Sequence, residues 1–425
     1  MQKIWNNSDR LAIVILIVMM AMKVSLSKLL AGVIPAFNLP YDPPVICAVY
    51  VAMIAVVYIL VLMPRISRRG IKGIITEYKY IVIMMMVLMC SIVLTDVVTI
   101  AKNQLRITNI LTHNLDYMYT FLALPLGILL IEKRWRWESF VDTILGLSLA
   151  SMVMRYAVSV YFGRTLIEIE CIAMESAWKY WIRNERLRVV PPCFIMLIVP
   201  ISLYMFIYTK GWIRRCWYFV NLIFASFYIY YVWQSRAGLI CIFVSIAVIC
   251  LFMIASKKQI YIKWGIAATG AAVFVLLGGV NRLIMEFSRD DTAQYVGENR
   301  GHFNAYNLFW PRFLKTPLLG EGLTETLAEW YPNGRALWLC DAGIMYSLLP
   351  MGVLILVVYF LMFGRGIYTY VKGYKSNVMA VLALSVTLAL IGCEVSMDCF
   401  FTPTAYAVPF YIVIVEYIHR QGLSK

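Results

Sequence analysis

The chain has 425 residues, of which 62% are apolar and 14% are charged, and its formal net charge is +15. This composition excludes an ordinary soluble domain, because the apolar residues come in blocks of about twenty, enough to cross roughly 30 Å of hydrocarbon. The lysines and arginines concentrate in short connections between the blocks, where positive charge sets membrane orientation, and this placement excludes nucleic acid as a partner. An integral protein of a lipid bilayer is therefore predicted.

The apolar blocks predict an all-α fold of twelve transmembrane helices in one polytopic domain. They cover residues 11–31, 45–63, 79–97, 115–131, 139–161, 192–209, 215–232, 237–255, 261–279, 340–363, 378–397 and 404–419. The first block lacks a small-residue cleavage site, so we expect it to stay as a helix rather than to be removed as a signal peptide. This divides the chain into nine helices in 1–279, a large external loop in 280–339 and three helices in 340–425.

The connections sort by charge, and alternate connections are basic. The basic residues on this side are Arg65, Arg68, Arg69 and Lys72; Lys133, Arg134 and Arg136; Lys210, Arg214 and Arg215; Lys257 and Lys258; Arg365, Lys372 and Lys375; and, at the termini, Lys3, Arg10, Arg420 and Lys425. Positive charge marks the cytoplasmic side. We therefore predict a multi-pass membrane protein with both termini in the cytoplasm and the large loop outside.

Cysteine usage shows no metal or redox motif. Most of the ten cysteines lie inside apolar blocks, and the sequence holds no Cys-x-x-Cys pair or Cys/His cluster. Such cysteines are expected to be small buried hydrophobes. No cofactor is predicted, and no metal is implied, because arginines can replace a metal cation and no Asp-x-Asp occurs in the outer loops. A disulfide stays open among four cysteines near one face: Cys171, Cys340, Cys393 and Cys399.

Ionisable residues within the predicted helices favour the half of the membrane on the side of the large loop. They are Lys23, Lys28, Asp96, Asp116, Arg155, Arg236, Asp341, Glu394 and Asp398. Such residues are costly in a bilayer and usually face a cavity or one another. A proton or ion pathway would need them through the full depth, so their placement favours a site at the outer face. Lys28 is expected merely to reach the interface, Glu394 and Asp398 could simply pair with arginines, and Arg155 fits either function or a buried ion pair.

The large loop is the one long polar interruption of the chain, and loops on rigid scaffolds often carry function. Three motifs are expected to meet beside it: Gln234-Ser235-Arg236-Ala237-Gly238; Arg300 followed by Arg312 and Pro317-Leu318-Leu319-Gly320-Glu321-Gly322; and Asp341 with Gly352 eleven residues later. Arginine suits a phosphate or diphosphate because its planar fork donates paired hydrogen bonds, and a carboxylate can take a proton from a sugar hydroxyl. Taken singly, each motif also fits an interfacial anchor or an ordinary turn.

The order and spacing of these motifs resemble the O-antigen ligase and polymerase superfamily of membrane glycosyltransferases. The shared features are about a dozen spans, a large late external loop, Ser235-Arg236 at the start of a span, and an Arg…Trp…Pro-x-x-Gly-x-Gly run that ends at Gly322. The resemblance implies a GT-C-like fold. It also implies a glycan carried on undecaprenyl diphosphate as the substrate, with a chain-length regulator and a flippase of the same pathway as partners.

The residue at position 341 distinguishes the two activities of this superfamily. Ligases usually carry histidine where this chain has Asp341, whereas polymerases more often have aspartate, so the resemblance favours a polymerase. It assigns catalysis to Asp341, Arg236 and Arg300, with Asp341 activating the attacking hydroxyl and the two arginines gripping the diphosphate. The residues predicted to bind the diphosphate or the glycan are Arg312, Arg155, His302, Tyr306, Trp310 and Glu394, although the position of His302 does not match the family motif. The resemblance also implies a bacterial cytoplasmic membrane as the location.

Three alternatives remain open from the sequence. A ligase would pass the finished polymer to another acceptor. A flippase or other transporter of lipid-linked sugars would suit twelve spans, but two related halves would be expected and no internal repeat is present. A noncatalytic membrane partner of a polysaccharide machine would keep the spans and tolerate the loss of each arginine.

Overall fold

The structure is a computed structural model that describes residues 2–24, 43–102, 105–173, 182–183, 186–187, 192–233, 235–252, 301–324, 328–330, 336–374, 377–394, 398–400 and 404–423. In this part of the chain the regular structure is almost entirely helical. The α-helices, numbered in chain order, are α1 (Gln2–Val24), α2 (Pro43–Glu77), α3 (Lys79–Ala101), α4 (Ile107–Met118), α5 (Ala123–Ile131), α6 (Trp137–Ala173), α7 (Ile195–Tyr208), α8 (Trp212–Phe227), α9 (Arg236–Phe252), α10 (Gly301–Lys315), α11 (Met345–Met351), α12 (Leu354–Gly373), α13 (Ala380–Cys393) and α14 (Val408–Leu423).

Short irregular elements interrupt or join these helices. Three are 3-10 turns, at Tyr119–Leu122, Leu339–Ala342 and Ala405–Ala407, and a π-helical turn at Tyr228–Trp233 extends α8. Two antiparallel ladders pair β1 (Ile182–Arg183) with β2 (Arg186–Leu187) and β3 (Ala328–Trp330) with β4 (Ala336–Trp338). The second ladder lies in the predicted external loop, with Ala328 opposite Trp338.

Six helical segments of the described chain are long and apolar enough to cross a membrane, which fits a multi-pass membrane protein. They are Cys47–Glu77, Lys79–Ala101, Ile107–Ile131, Trp137–Ala157, Trp212–Trp233 and Leu354–Gly373, and three shorter apolar helices are Ile195–Tyr208, Gly238–Phe252 and Ala380–Cys393. Large apolar side chains such as Ile59, Met86 and Phe360 are exposed on such segments, where lipid would cover them. The structure does not reproduce twelve spans, and the predicted helix 261–279 lies outside the described residues.

The predicted continuous helix over 340–363 is wrong. Residues 339–342 form a 3-10 turn, α11 follows, and the chain breaks at Gly352 (φ +68°) before α12. An L side chain rarely adopts this φ, so a glycine at this point permits the break. Two other boundaries also move: α1 (Gln2–Val24) already includes residues 2–10, and α2 continues to Glu77 with a kink at Gly70. Residues 25–31 of the first predicted span lie outside the described residues.

The core of the bundle lies between α7, α13 and α14, whose residues are buried almost throughout. Helix α13 packs most extensively on α9 and α12, while α14 packs on α5 and α12. Small side chains allow these close approaches. A Cβ added at Gly392 would lie 2.7 Å from Cγ2 of Ile240, so the C-terminal end of α13 touches the first turns of α9.

At one end of the bundle, here called the terminal end, ion pairs link residues of the predicted cytoplasmic connections to one another. Arg65 bonds Asp9 of α1 and Glu132 after α5, both at 2.8 Å. Further pairs extend this network: Arg69 with Glu132 and Glu77, Arg134 with Asp9, Arg420 with Glu77 and Glu416, and Arg365 with Glu416. Basic residues that the charge pattern places on one side thus do meet at one end of the molecule. That this end faces the cytoplasm stays a prediction.

Candidate functional site

The turn Pro317–Gly322 is docked, backbone to backbone, on the junction between α11 and α12. The amide of Glu321 donates to the carbonyl of Leu349 (2.9 Å) and the amide of Gly322 to the carbonyl of Pro350 (3.2 Å). In return, the amide of Val353 donates to the carbonyl of Pro317 (2.8 Å). The loop motif and the segment that ends the Asp341 motif therefore form one structural unit.

Two glycines make this close approach possible. Gly320 (φ +72°) and Gly352 (φ +68°) both have positive φ, which side chains disfavour. A Cβ at Gly320 would lie 2.2 Å from the carbonyl oxygen of Pro350, and one at Gly352 would lie 2.4 Å from that of Leu318. Both clashes are with backbone, which cannot rotate away. The glycines that the sequence marked as motif residues are thus required by the packing.

Glu321 fixes the turn from the other side. The guanidinium of Arg312 on α10 bonds its carboxylate, with Nε donating to Oε2 at 3.2 Å. The ammonium of Lys102, at the end of α3, donates to its carbonyl at 2.8 Å. The hydroxyl of Thr99, one turn earlier, accepts from the amide of Leu323 at 2.8 Å. The turn is therefore held between α3, α10 and α11.

A cleft opens beside this turn, and we call it the loop-end cleft. Its lining residues are His113, Tyr117, Glu321, Gly322, Leu323, Thr324, Leu339, Tyr346, Leu349 and Pro350. Polar groups from α4 face a mainly apolar wall formed by α11 and the turn. An apolar wall with a few polar groups is a common arrangement at small-molecule sites, but the space inside this cleft is about 20 Å³, enough for roughly one water molecule.

The buried carboxylate of Asp398 is connected by hydrogen bonds to residues beside the cleft. The hydroxyl of Tyr117 and that of Ser347 lie 3.1 Å apart, and the amide of Ser347 donates to Oδ2 of Asp398 at 3.1 Å. Oδ1 of Asp398 accepts from the hydroxyl of Tyr359 (2.8 Å) and from the amide of Phe400 (2.7 Å). Asp398 is fully buried, and these bonds hold α11 in place against α12.

Glu394 lies next to Asp398 at the end of α13. Its carbonyl accepts from the amide of Ile344, three residues after Asp341, and its Oε1 accepts from the amide of Cys399 at 3.0 Å. Its Oε2 is buried and has no hydrogen-bond partner. One ligand atom each from Glu394, Asp398 and Cys399 lie within 4.8 Å of one another, so among the described residues these three could hold a metal ion. Asp398 already accepts three hydrogen bonds, which leaves it poorly suited as a ligand, and the predicted absence of a metal stays a prediction.

The Ser235-Arg236-Ala237-Gly238 motif forms the start of α9 at this same end of the bundle. The hydroxyl of Ser235 accepts from the amide of Gly238 (3.4 Å), the position of a helix N-cap. A Cβ at Gly238 would lie 2.6 Å from Cγ2 of Ile229 and 2.8 Å from Cζ3 of Trp233. The motif therefore packs the first turn of α9 on the π-helical turn, which places the backbone of Arg236 beside the end of α13.

Replacing Gly238 with alanine is expected to displace this first turn. Overpacking costs about 1–3 kcal/mol, against about 1 kcal/mol that alanine gains over glycine in a helix. We expect a net loss of about 1 kcal/mol in the free energy of unfolding, measured in detergent. The control is Gly146→Ala in α6, because a Cβ at Gly146 would lie 3.9 Å from its nearest neighbour. Equal behaviour of the two variants would contradict the close packing at Gly238.

The structure places some of the predicted site residues and leaves others undescribed. Arg300 lies outside the described residues. The backbones of Asp341 and Arg236 lie at the same end of the bundle, in the 3-10 turn beside the cleft and at the start of α9. His302 and Tyr306 fall in the first turns of α10. The side chains of Asp341, Arg236, His302 and Tyr306 are not described.

The other predicted residues have described surroundings. Arg312 is paired with Glu321, and its guanidinium lies 5.7 Å from the ring centre of Phe309. Trp310 is 48% exposed and packs on Phe313, outside the cleft. In α6, Nε of Arg155 donates to the hydroxyl of Ser151 at 3.1 Å. The pairing of Glu394 with an arginine, one of its possible roles, is not seen among the described residues.

Sequence reasoning missed His113 and Tyr117 of the cleft and also Ser347, whose hydroxyl is bonded to that of Tyr117. No motif marks them, because they come from α4 and α11, which are far apart in sequence. The histidine is one of only three in the chain, and this scarcity was the one signal available. Of the cysteines left open for a disulfide, Cys393 and Cys399 form none, and the side chains of the other two are not described.

Comparison with known families and with curated proteins gave no match to this chain.

Proposed function

We propose that the protein is a polymerase that joins glycan repeat units carried on undecaprenyl diphosphate at the outer face of the cytoplasmic membrane. The observation that carries this proposal is the interlocked pair of motifs, Pro317–Gly322 and Leu349–Val353, at the edge of the loop-end cleft. These segments belong to the two motifs that suggested the family. Their mutual docking explains why the motifs contain glycines, and it brings both motifs to the edge of one cleft.

The proposed reaction needs cationic side chains that bind the diphosphate and a base that accepts a proton. A hydroxyl of the acceptor sugar attacks the anomeric carbon of the donor glycan and forms the new glycosidic bond. The bond from that carbon to the diphosphate breaks, and the electron pair leaves with the undecaprenyl diphosphate. Asp341 takes the hydroxyl proton, and Arg236 and Arg300 stabilise the charge that develops on the leaving group. Arg312 acts indirectly, because it holds Glu321 and with it the turn.

Loss of the arginine grip tests the proposal. We expect Arg236→Ala and Arg300→Ala to lower polymer formation by at least tenfold, since one donor to a developing charge is typically worth ~10²–10³ in rate. The measurement is glycan length in membranes of the producing cells, with the amount of inserted protein determined alongside. Lys133→Ala at the terminal end is the control and should keep full polymer length. Normal polymer in both arginine variants would exclude these roles.

A ligase is the second candidate, favoured by the position of His113 in the cleft. An imidazole there could act as the base that ligases of this superfamily usually carry after the large loop. The two activities leave different products behind. Cells without a polymerase accumulate single repeat units on the carrier, whereas cells without a ligase accumulate long polymer on the carrier.

A further inference from the structure

Two 3-10 turns in the interior of the bundle pack against each other and carry buried hydroxyls. Tyr119–Leu122 interrupts the α4–α5 span, and Ala405–Ala407 precedes α14. The ring of Tyr119 meets that of Tyr406 edge to face, with centroids 5.0 Å apart. Within a membrane, such breaks in helices are tolerated where they are buried in protein or line a cavity, and they often mark functional positions.

The hydroxyls of these two turns lack hydrogen-bond partners. Oη of Tyr119, Oγ1 of Thr120 and Oη of Tyr406 are all buried and unpaired, and the three residues are at most 1% exposed. An unmade hydrogen bond at a buried hydroxyl is costly, and most native proteins avoid it. The closeness of the two unpaired tyrosines therefore points to a ligand that accepts hydrogen bonds at this place.

Positive charge lies beside the same rings. The ammonium of Lys23, at the end of α1, is 4.3 Å from the ring centre of Tyr119 and 5.1 Å from that of Tyr50. Lys23 and Arg155 both lie within electrostatic range of Cys193, which precedes α7. Asp116 contributes an opposing charge near Tyr119.

We propose that Lys23, Tyr119 and Tyr406 form a binding site for a phosphate group. An ammonium and two phenol hydroxyls can all donate hydrogen bonds to an anionic oxygen, whereas the ammonium would repel a metal ion. The inference rests on the proposed function in one respect: it takes the phosphate to be the diphosphate of the second, acceptor lipid carrier rather than a free anion, because Arg236 and Arg300 are assigned to the diphosphate that departs from the donor.

Binding of farnesyl diphosphate to the full-length protein in detergent tests this site. Farnesol serves as the uncharged probe and inorganic diphosphate as the lipid-free one, and affinities are measured by calorimetry. We expect farnesyl diphosphate to bind and farnesol not to bind. Each of Tyr119→Phe, Tyr406→Phe and Lys23→Gln should weaken binding about tenfold or more, because a hydrogen bond to a charged group is worth at least that factor.

The stability of the same variants separates binding from folding. Tyr119→Phe and Tyr406→Phe remove unpaired hydroxyls, so their melting temperatures should stay equal or rise. Tyr58→Phe is the matched control, because the hydroxyl of Tyr58 donates to the carbonyl of Phe121 in the same 3-10 turn (2.6 Å). This control should lower the melting temperature and leave the affinity for farnesyl diphosphate unchanged.

The outcomes distinguish this inference from the proposed function. Unchanged affinity in both tyrosine variants, or equal binding of farnesol, would overturn the site. Binding of inorganic diphosphate as tight as that of the lipid would support the phosphate site but overturn the lipid carrier as its source. If the variants lose affinity while the protein makes no glycan, the site stands and the polymerase proposal fails. If glycan is made and the tyrosine variants bind normally, the polymerase proposal stands and the phosphate site fails.

Discussion

Gly320→Ala is expected to abolish polymer formation and to lower the free energy of unfolding by about 3 kcal/mol or more. The new Cβ would lie 2.2 Å from the carbonyl oxygen of Pro350 and 2.7 Å from the amide nitrogen of Gly352. Strain at the positive φ costs about 1–3 kcal/mol, and overpacking adds about 1–3 kcal/mol. Because both contacts are with backbone, relief requires the turn to leave α11. The loop-end cleft would then lose one wall.

The comparison with Gly364→Ala makes this expectation specific. Gly364 lies inside α12, and a Cβ there would meet nothing within 4 Å. Alanine should stabilise that helix by up to about 1 kcal/mol and leave polymer length unchanged. Melting temperature in detergent and glycan length in cells are the two readouts. Should Gly320→Ala match Gly364→Ala in both, the docked turn would not be needed for the site.

Arg65→Met is expected to cost on the order of 3–5 kcal/mol in the free energy of unfolding. All five N–H groups of Arg65 are bonded: to both carboxylate oxygens of Asp9, to Oε2 of Glu132 twice and to the carbonyl of Val61. The side chains of Arg65 and Asp9 are at most 8% exposed. Removal of the arginine leaves buried carboxylates without their closest cation, which is the costly way to break a buried pair.

The partner Arg69→Met provides the comparison within the same network. Its side chain is 47% exposed, so its bonds to Glu77 and Glu132 should contribute no more than about 1 kcal/mol. Unfolding by titration with SDS in mixed micelles gives both values. Combining Arg65→Met with Asp9→Asn should recover part of the loss, because one stranded charge is removed. An Arg65→Met variant as stable as Arg69→Met would show that the terminal end does not depend on this ion pair.

The charge pattern predicted more of the fold than the hydropathy pattern did. Basic connections that are far apart in sequence were expected on one side, and Arg65, Arg134, Arg365 and Arg420 do meet at the terminal end. Charge placement is a property of each connection, so it can be read locally. Helix boundaries are not local in this way: α12 begins at Leu354 because the backbone of another segment packs on the α11–α12 junction.

The candidate site was predicted in outline from its glycine motifs. Pro317–Gly322 and Gly352 were expected to converge, and their backbones interlock. The wall that faces them was not predicted, because His113 and Tyr117 come from α4 and carry no motif spacing. The unpaired hydroxyls of Tyr119 and Tyr406 were equally invisible, since a missing hydrogen bond can be recognised only when the packing is known.

The most direct test of the account is the reaction itself, with purified protein and a lipid-linked repeat unit from the producing cells. The measurement is the length of glycan on the carrier after incubation, for the wild type and for Asp341→Ala. We predict a ladder of polymer on undecaprenyl diphosphate with the wild type and unreacted single units with the variant. A wild-type protein that leaves single units unchanged, yet moves preformed polymer from the carrier to another acceptor, would contradict the polymerase and establish a ligase.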